Sequence, residues 1–288
     1  MKDFPLPVRM GGVGSQVVDD EPEYLAMPRG MNTFRMPLVP ESADTIALGD
    51  AHAVLAAFLA LLDDWDPEGD VRGPRLDLAG VAPPALAITN QMLGEGEVSI
   101  QIDGAPGYRI QETVFTGVWR VCAVDDENRL VADWLEASTV PEVAIAAAQA
   151  GAATGIAPVD VPAGAMNSPA LLAEIAGRLC TRSRGDPAHV INLTLFPMTP
   201  EDHQVLERAV PVGRVAIMSR GFGNCRVTST GLRDVWRVQY FNNMNTLILN
   251  TLEIVDAPEV ALAAVEDLVD SRERLAELVA WMSESCMA

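Results

Sequence analysis

Residues 96–147 reappear, without a gap, as residues 213–264, a repeat at a spacing of 117 residues. The two stretches share 20 identical positions in 52, more than chance supplies. Identities cluster in Val118-Trp119-Arg120-Val121 against Val235-Trp236-Arg237-Val238, and in Pro141-Glu142-Val143-Ala144 against Pro258-Glu259-Val260-Ala261. The same offset runs backwards more weakly, laying LDLAGVAP from Leu76 over LTLFPMTP from Leu193 and AHAVLAAFLALL from Ala51 over SPALLAEIAGRL from Ser168. One unit is therefore about 100 residues, an ordinary domain size.

Apolar spacing predicts the elements of each unit. Val54, Leu55, Phe58, Leu59 and Leu62 fall three and four residues apart, as on one face of a helix, and Leu171, Leu172, Ile175 and Leu179 repeat the pattern. A short strand follows at 74–79, matched by 189–196, then a helix at 84–93 or 200–210. The second of these opens on Thr199, Pro200 and Glu201, a cap followed by a residue with no amide proton to lose. Strands are expected at 96–102, 107–114, 117–124 and 129–136 and again 117 residues later, with TLILNTLEIV at 246–255 reading as a covered central strand. Pro141 and Pro258 each precede a glutamate and are expected to open a closing helix.

This order predicts an α+β fold: a tandem duplication of mainly antiparallel sheet with packed helices, the copies paired about a local two-fold. Residues 1–47 read as an extended arm, 48–150 as the first repeat, 151–164 as a linker and 165–270 as the second. A helix from 271 to 284, within a closing segment 271–288, is expected to cap the second copy. The arm spreads Met27, Met31, Phe34, Met36 and Leu38 among prolines, so Met31 and Phe34 are candidates for contacting a partner.

Forty acidic residues against 20 basic ones give a formal charge of -20, and Lys2 is the sole lysine. That balance disfavours nucleic acid, which needs a positive footprint. An acidic surface suits a partner with basic segments. The opening MKDFPLPVRMGG lacks an apolar signal core and no window holds 18 apolar residues in a row, so a cytoplasmic protein without a membrane span is expected. Cys122, Cys180, Cys225 and Cys286 form no CxxC pair, and His52 and His189 have no histidine in the other copy, so neither a metal nor another cofactor is signalled.

Comparing the copies locates the candidate site. Residues 95–150 hold ten acids and three arginines, net -7, whereas 212–267 hold six acids and five arginines, net -1. In the turns DGAPGYR becomes RGFGNCR and DDEN becomes NNMN. Arg220, Phe222, Asn224, Arg226, Asn242, Asn243 and Asn245 are thus expected to offer a surface that bonds peptide main chain or carboxylates. Arg109/Arg226, Thr113/Thr230 and Trp119/Trp236 persist in both copies, which reads first as sheet packing and turn bonding. Trp236 is also a candidate anchor if exposed. The pairs Glu136/Glu253 and Glu142/Glu259 are expected to satisfy arginines internally. No catalytic constellation stands out.

In RGMNTFRMPLVPE from Arg29, LGEGEVSI from Leu93 and above all Ser219 to Val260, the chain resembles the HupH/HyaF/HoxQ family of hydrogenase expression proteins of uptake nickel-iron hydrogenases. The resemblance spans nearly the whole chain. It implies maturation of the hydrogenase small subunit, which carries iron-sulfur clusters and a twin-arginine export signal. The protein would hold that precursor, by its twin-arginine signal peptide or by its body, before it joins the large subunit, alone or with a companion assembly protein. The resemblance supplies no catalytic residue. Two other readings stay open: a redox or iron-sulfur cluster assembly factor, which needs Cys225 brought to Cys122 or Cys180, and a homodimeric scaffold.

Overall fold

Side chains alternate along the strands of both copies, one set inward and the next outward, and the two sets of five strands join into a single antiparallel sheet of ten. The computed structural model describes residues 45–69, 72–221 and 223–287. The first copy contributes β1 (Arg72–Asp77), β2 (Val98–Ile102), β3 (Gly107–Glu112), β4 (Val118–Val124) and β5 (Leu130–Ser138). The second contributes β6 (His189–Asn192), β7 (Val212–Ser219), β8 (Asn224–Thr230), β9 (Val235–Phe241) and β10 (Leu247–Ile254). Their order is β1-β5-β4-β3-β2-β7-β8-β9-β10-β6, so the copies fuse edge to edge through β2 and β7.

At this seam Ile100 lies opposite Ile217, its own counterpart 117 residues on, with Ile102 opposite Val215 and Val98 opposite Ser219. The pairing is therefore unchanged when the copies are exchanged, which is a local two-fold in the sheet. Each β2 edge would otherwise leave a row of bare amides and carbonyls, and the partner copy covers it.

The sheet's two faces differ. On one, Ile100, Trp119 and Val121 with their counterparts Ile217, Trp236 and Val238 form a continuous apolar core across the seam. It is covered by α3 (Glu142–Gln149) and by a short 3₁₀ turn, Glu259–Ala261. On the other face α1 (Thr45–Asp63) and α2 (Pro83–Leu93) cover the outer strands of the first copy. There α4 (Ser168–Thr181) and α5 (Pro200–Ala209) cover the outer strands of the second. The central strands β3, β2, β7 and β8 lie between the helix pairs.

Local chemistry explains several helix starts. α5 has a capping box: Thr199 Oγ1 accepts from the Asp202 amide at 3.1 Å, and Asp202 accepts from the Thr199 amide at 3.1 Å. Asp202 is fully buried and also accepts from the Ser168 amide and hydroxyl, each at 2.8 Å, so one carboxylate ties the starts of α4 and α5 together. α1 is long and apolar enough to cross a membrane by composition alone. It packs instead against α2 and α6 (Val265–Met287), burying Ala51, Leu55, Phe58 and Leu62.

Three expectations are corrected. The strand at 189–196 stops at Asn192, whose side chain accepts from the Thr194 amide at 3.0 Å and turns the chain into 3₁₀ geometry at Leu193–Leu195. Pro258 opens only the 3₁₀ turn, not a helix like α3. The last helix starts at Val265 rather than 271, and it packs on α1 of the first copy instead of capping the second. The chain leaves the second copy at the seam, where the Ala263 amide donates to Thr139 O, and so continues onto the first copy. Leu268 then fills the space over Gly117, where a Cβ would collide with it. The linker does the reverse: Ala153 pairs with Leu232, and Ile156 and Val159 pack on the second core.

Candidate partner-binding groove

Between the helix pairs, the face of the central strands that no described helix covers forms a groove of about 730 Å³. Strand register sets its floor as two rows running across the sheet. One row reads Cys122, Arg109, Gln101, Ala216, Thr228, Arg237. The other, read from the opposite side, is Gln239, Arg226, Met218, Ser99, Gln111, Arg120. Each member of the first is the 117-residue counterpart of the member in the same place of the second. Four arginines thus stand in two symmetric pairs, and no acidic residue lies in either row.

The arginines are held differently. Arg120 is half-buried and bidentate on Asp133, at 3.1 Å from Nε to Oδ1 and 2.6 Å from Nη2 to Oδ2, and it also donates to Asn90 on α2. Its counterpart Arg237 lacks that carboxylate, because Asp133 corresponds to Asn250. Arg237 Nε and Asn250 Oδ1 are buried and have no hydrogen-bond partner among the described residues. Burial lowers the Arg237 pKa, against the attraction of Glu207 on α5. Arg109 and Arg226 are exposed, and neither forms an ion pair among the described residues. Arg109 Nη1 donates to its neighbour Tyr108 O at 3.2 Å, and Arg226 lies 5.7 Å from the Phe241 ring centre.

At the ends of the floor the charges balance. Glu97 and Arg220 meet at one end, where the Arg220 amide donates to Glu97 O at 3.1 Å. Their counterparts Arg214 and Asp103 meet at the other, where the Asp103 amide donates to Arg214 O at 3.0 Å.

The sequence model of the HupH hydrogenase expression protein, C-terminal conserved region, matches twice, at residues 48–155 and 165–282. The chain belongs to the HupH family of hydrogenase expression proteins. It is 44% identical to the hydrogenase expression/formation protein HoxQ of Cupriavidus necator over 283 residues, 98% of this chain and 99% of that one. It is 35% identical to the hydrogenase-1 operon protein HyaF of Escherichia coli K12, over 79% of this chain and 82% of that one. The solved structure of the hydrogenase expression protein HupH from Thiobacillus denitrificans is 26% identical, covering 40% of this chain and 95% of that one with a TM-score of 0.35.

In this HupH-family chain the candidates picked from the sequence fall in several places. Met31, Phe34 and Phe222 lie outside the described residues. Arg226 is on the groove floor and Arg220 at its end. Asn224 opens β8 opposite Phe241, beside the β9–β10 turn that carries Asn242, Asn243 and Asn245. Two of these asparagines shape that turn: Asn242 Oδ1 accepts from the amides of Met244 and Thr246, each at 2.9 Å, and Asn245 adopts φ 56°. Asp125 and Asn128 do the same work in the first copy, so Asn242 and Asn245 have a structural use that needs no partner.

Trp236 is corrected outright. It is 2% exposed in the central core, with Nε1 donating to Asp256 O at 3.3 Å, as Trp119 does to Ser138 O, and neither ring faces a partner. Thr113 and Thr230 likewise bond the turns that follow them, which agrees with their reading as structural residues. Glu136 takes the Glu142 amide, the Ser138 hydroxyl and the Trp134 indole as well as Arg75 at 3.8 Å, so backbone and side-chain donors hold it more than arginine does.

For Arg109/Arg226 the structure points away from packing. Both project from the sheet into the groove; Arg226 is already a candidate for contacting a partner, whereas Arg109 and Arg120 are not expected there. The available signal was that Arg109 on β3 and Arg120 on β4 stand directly beside apolar inward residues, Ile110 for the first and Trp119 and Val121 for the second, which alternation places on the opposite face.

The three described thiols, Cys122, Cys180 and Cys225, do not meet. Cys122 lines the groove, Cys225 lies in the core on the opposite face, and Cys180 is exposed on α4. Burial and then the Asp133 carboxylate push the Cys122 thiol up, and burial pushes Cys225 up to about 11 against its bond with Tyr240. A thiol so raised stays protonated at neutral pH and is a poor nucleophile. No group of three or more potential metal ligands occurs among the described residues.

Proposed function

We propose that this chain is a non-catalytic, cytoplasmic assembly factor that holds the small-subunit precursor of a nickel-iron hydrogenase before export. The observation that carries the reading is the groove: an open floor fused from two copies, in which arginine, glutamine, serine and threonine side chains able to hydrogen-bond stand among apolar ones. Membership of a family named for hydrogenase expression and formation supplies the client's class. The protonated thiols of Cys122, in the groove, and Cys225, in the core, lie on opposite faces of the sheet, which weighs against the redox alternative that requires Cys122 or Cys180 beside Cys225.

The test is capture of the small-subunit precursor by the purified full-length chain without oxygen, with and without the twin-arginine signal peptide. Capture of the precursor is the expected result. Capture of neither form by a folded protein counts against the chaperone reading.

A further inference from the structure

The floor of the groove carries a charge opposite to that of the molecule around it. The chain bears a formal charge of -20, yet its two central rows contain four arginines and no acid, with Arg109 and Arg226 exposed and without ion pairs among the described residues. The fold also shows which ligand such a position takes. In the first copy Arg120 is closed by the carboxylate of Asp133 through two parallel bonds. In the second copy the equivalent carboxylate has become Asn250, leaving Arg237 Nε and Asn250 Oδ1 buried and without partners. A carboxylate thus bonds the arginine directly on one side of the seam, whereas on the other Glu207 lies near Arg237 but the position of Asp133 holds an amide.

We infer that the groove receives an extended, carboxylate-bearing segment from the folded body of the partner, with Arg109 and Arg226 as its two anchors. This rests on the assembly reading above and sharpens it. Arg109 on β3 and Arg226 on β8 are three strands apart, roughly 14 Å across the sheet, and stand in adjacent rows. An extended peptide advances about 3.4 Å per residue, so two carboxylates about four or five residues apart reach both guanidinium groups. Guanidinium and carboxylate match in a planar, two-bond geometry that an amide or a hydroxyl does not reproduce. A basic signal peptide is repelled from this floor, and four arginines in one groove do not supply the extended positive footprint that a nucleic acid needs.

The experiment uses overlapping peptides that cover the small-subunit precursor, signal included, probed with the full-length chain and with Arg109→Gln/Arg226→Gln. Both arginines are exposed, so the double variant is expected to keep the wild-type circular dichroism and melting temperature, which is checked first. The expected result is binding to acid-containing segments of the subunit body, reduced at least tenfold in the double variant and partly restored in Arg109→Lys/Arg226→Lys. Arg129→Gln, on an exposed hairpin, is expected to bind as the wild type does.

Unchanged binding in the double variant, binding confined to the signal or to apolar segments, or no bound peptide at all would overturn the inference. Capture of the intact precursor by a chain that binds none of its acidic segments would uphold the assembly reading and reject the groove's proposed ligand. Binding of acidic segments without capture of the precursor would do the reverse.

Discussion

Glu112 sits at the end of β3, 5% exposed, with Oε1 accepting from the Gly117 amide at 3.1 Å. Burial, reinforced by Glu97 and Asp267, outweighs that bond and pushes its pKa from 4.5 up to about 7. A carboxyl raised on folding is favourable in the fold while protonated. Its contribution is full below the unfolded value of 4.5 and is lost as pH rises through about 7. Glu112→Gln, which keeps an acceptor for Gly117, is therefore expected to match the wild type near pH 5. At pH 8 it should be more stable, by on the order of 2 kcal/mol. Urea unfolding at the two pH values checks this, and a stability difference that does not widen with pH rejects it. The counterpart of Glu112 is Ser229, whose hydroxyl accepts from the Val215 amide, so this sensitivity belongs to the first copy alone.

Among the elements, α6 has the role least like its expected one. Leu268, Leu275, Leu278 and Met282 face inward on it, while Arg274 lies over the Phe115 ring and donates to Val114 O at 3.3 Å. Removing a buried leucine costs the lost apolar burial and the cavity left behind, about 2–4 kcal/mol. Leu275→Ala should therefore lower the urea midpoint, whereas Glu277→Ala on the exposed face should not. Amide exchange gives the element-level readout: protection should fall in α1 of the first copy before α4 of the second. Equal loss in both helices would contradict the assignment of α6 to the first copy.

For the whole molecule, the copies depend on each other twice. They share the β2–β7 ladder, and each is closed by the segment that follows the other. A chain ending at residue 164 has a bare β2 edge and no α6 over α1, and exposed edges invite association with other chains. Expressed alone it is expected to aggregate, and co-expression with residues 165–288 should return a soluble one-to-one complex. A soluble, monomeric, cooperatively unfolding first half would show that the copies are independent domains.

Much of this was legible in the residues. The 117-residue repeat, the strands within 98–138 and 212–241, and the Thr199-Pro200 helix start follow from residues close in sequence, whereas 246–255, expected to be covered on both faces, leaves Leu247 and Ile248 exposed. The turn chemistry of Asn242 and Asn245 was visible but was read as a surface for a partner, because a side-chain oxygen looks the same in sequence whether it bonds its own turn or another chain. Only the tertiary structure decided that the sheets fuse edge to edge, that Trp236 is core while Arg109 and Arg226 face open space, and that α6 crosses to the first copy. Each of those depends on which edges and faces meet across more than 100 residues of chain. That outcome is set by the total burial and edge pairing of the assembled sheet, to which no local pattern has access.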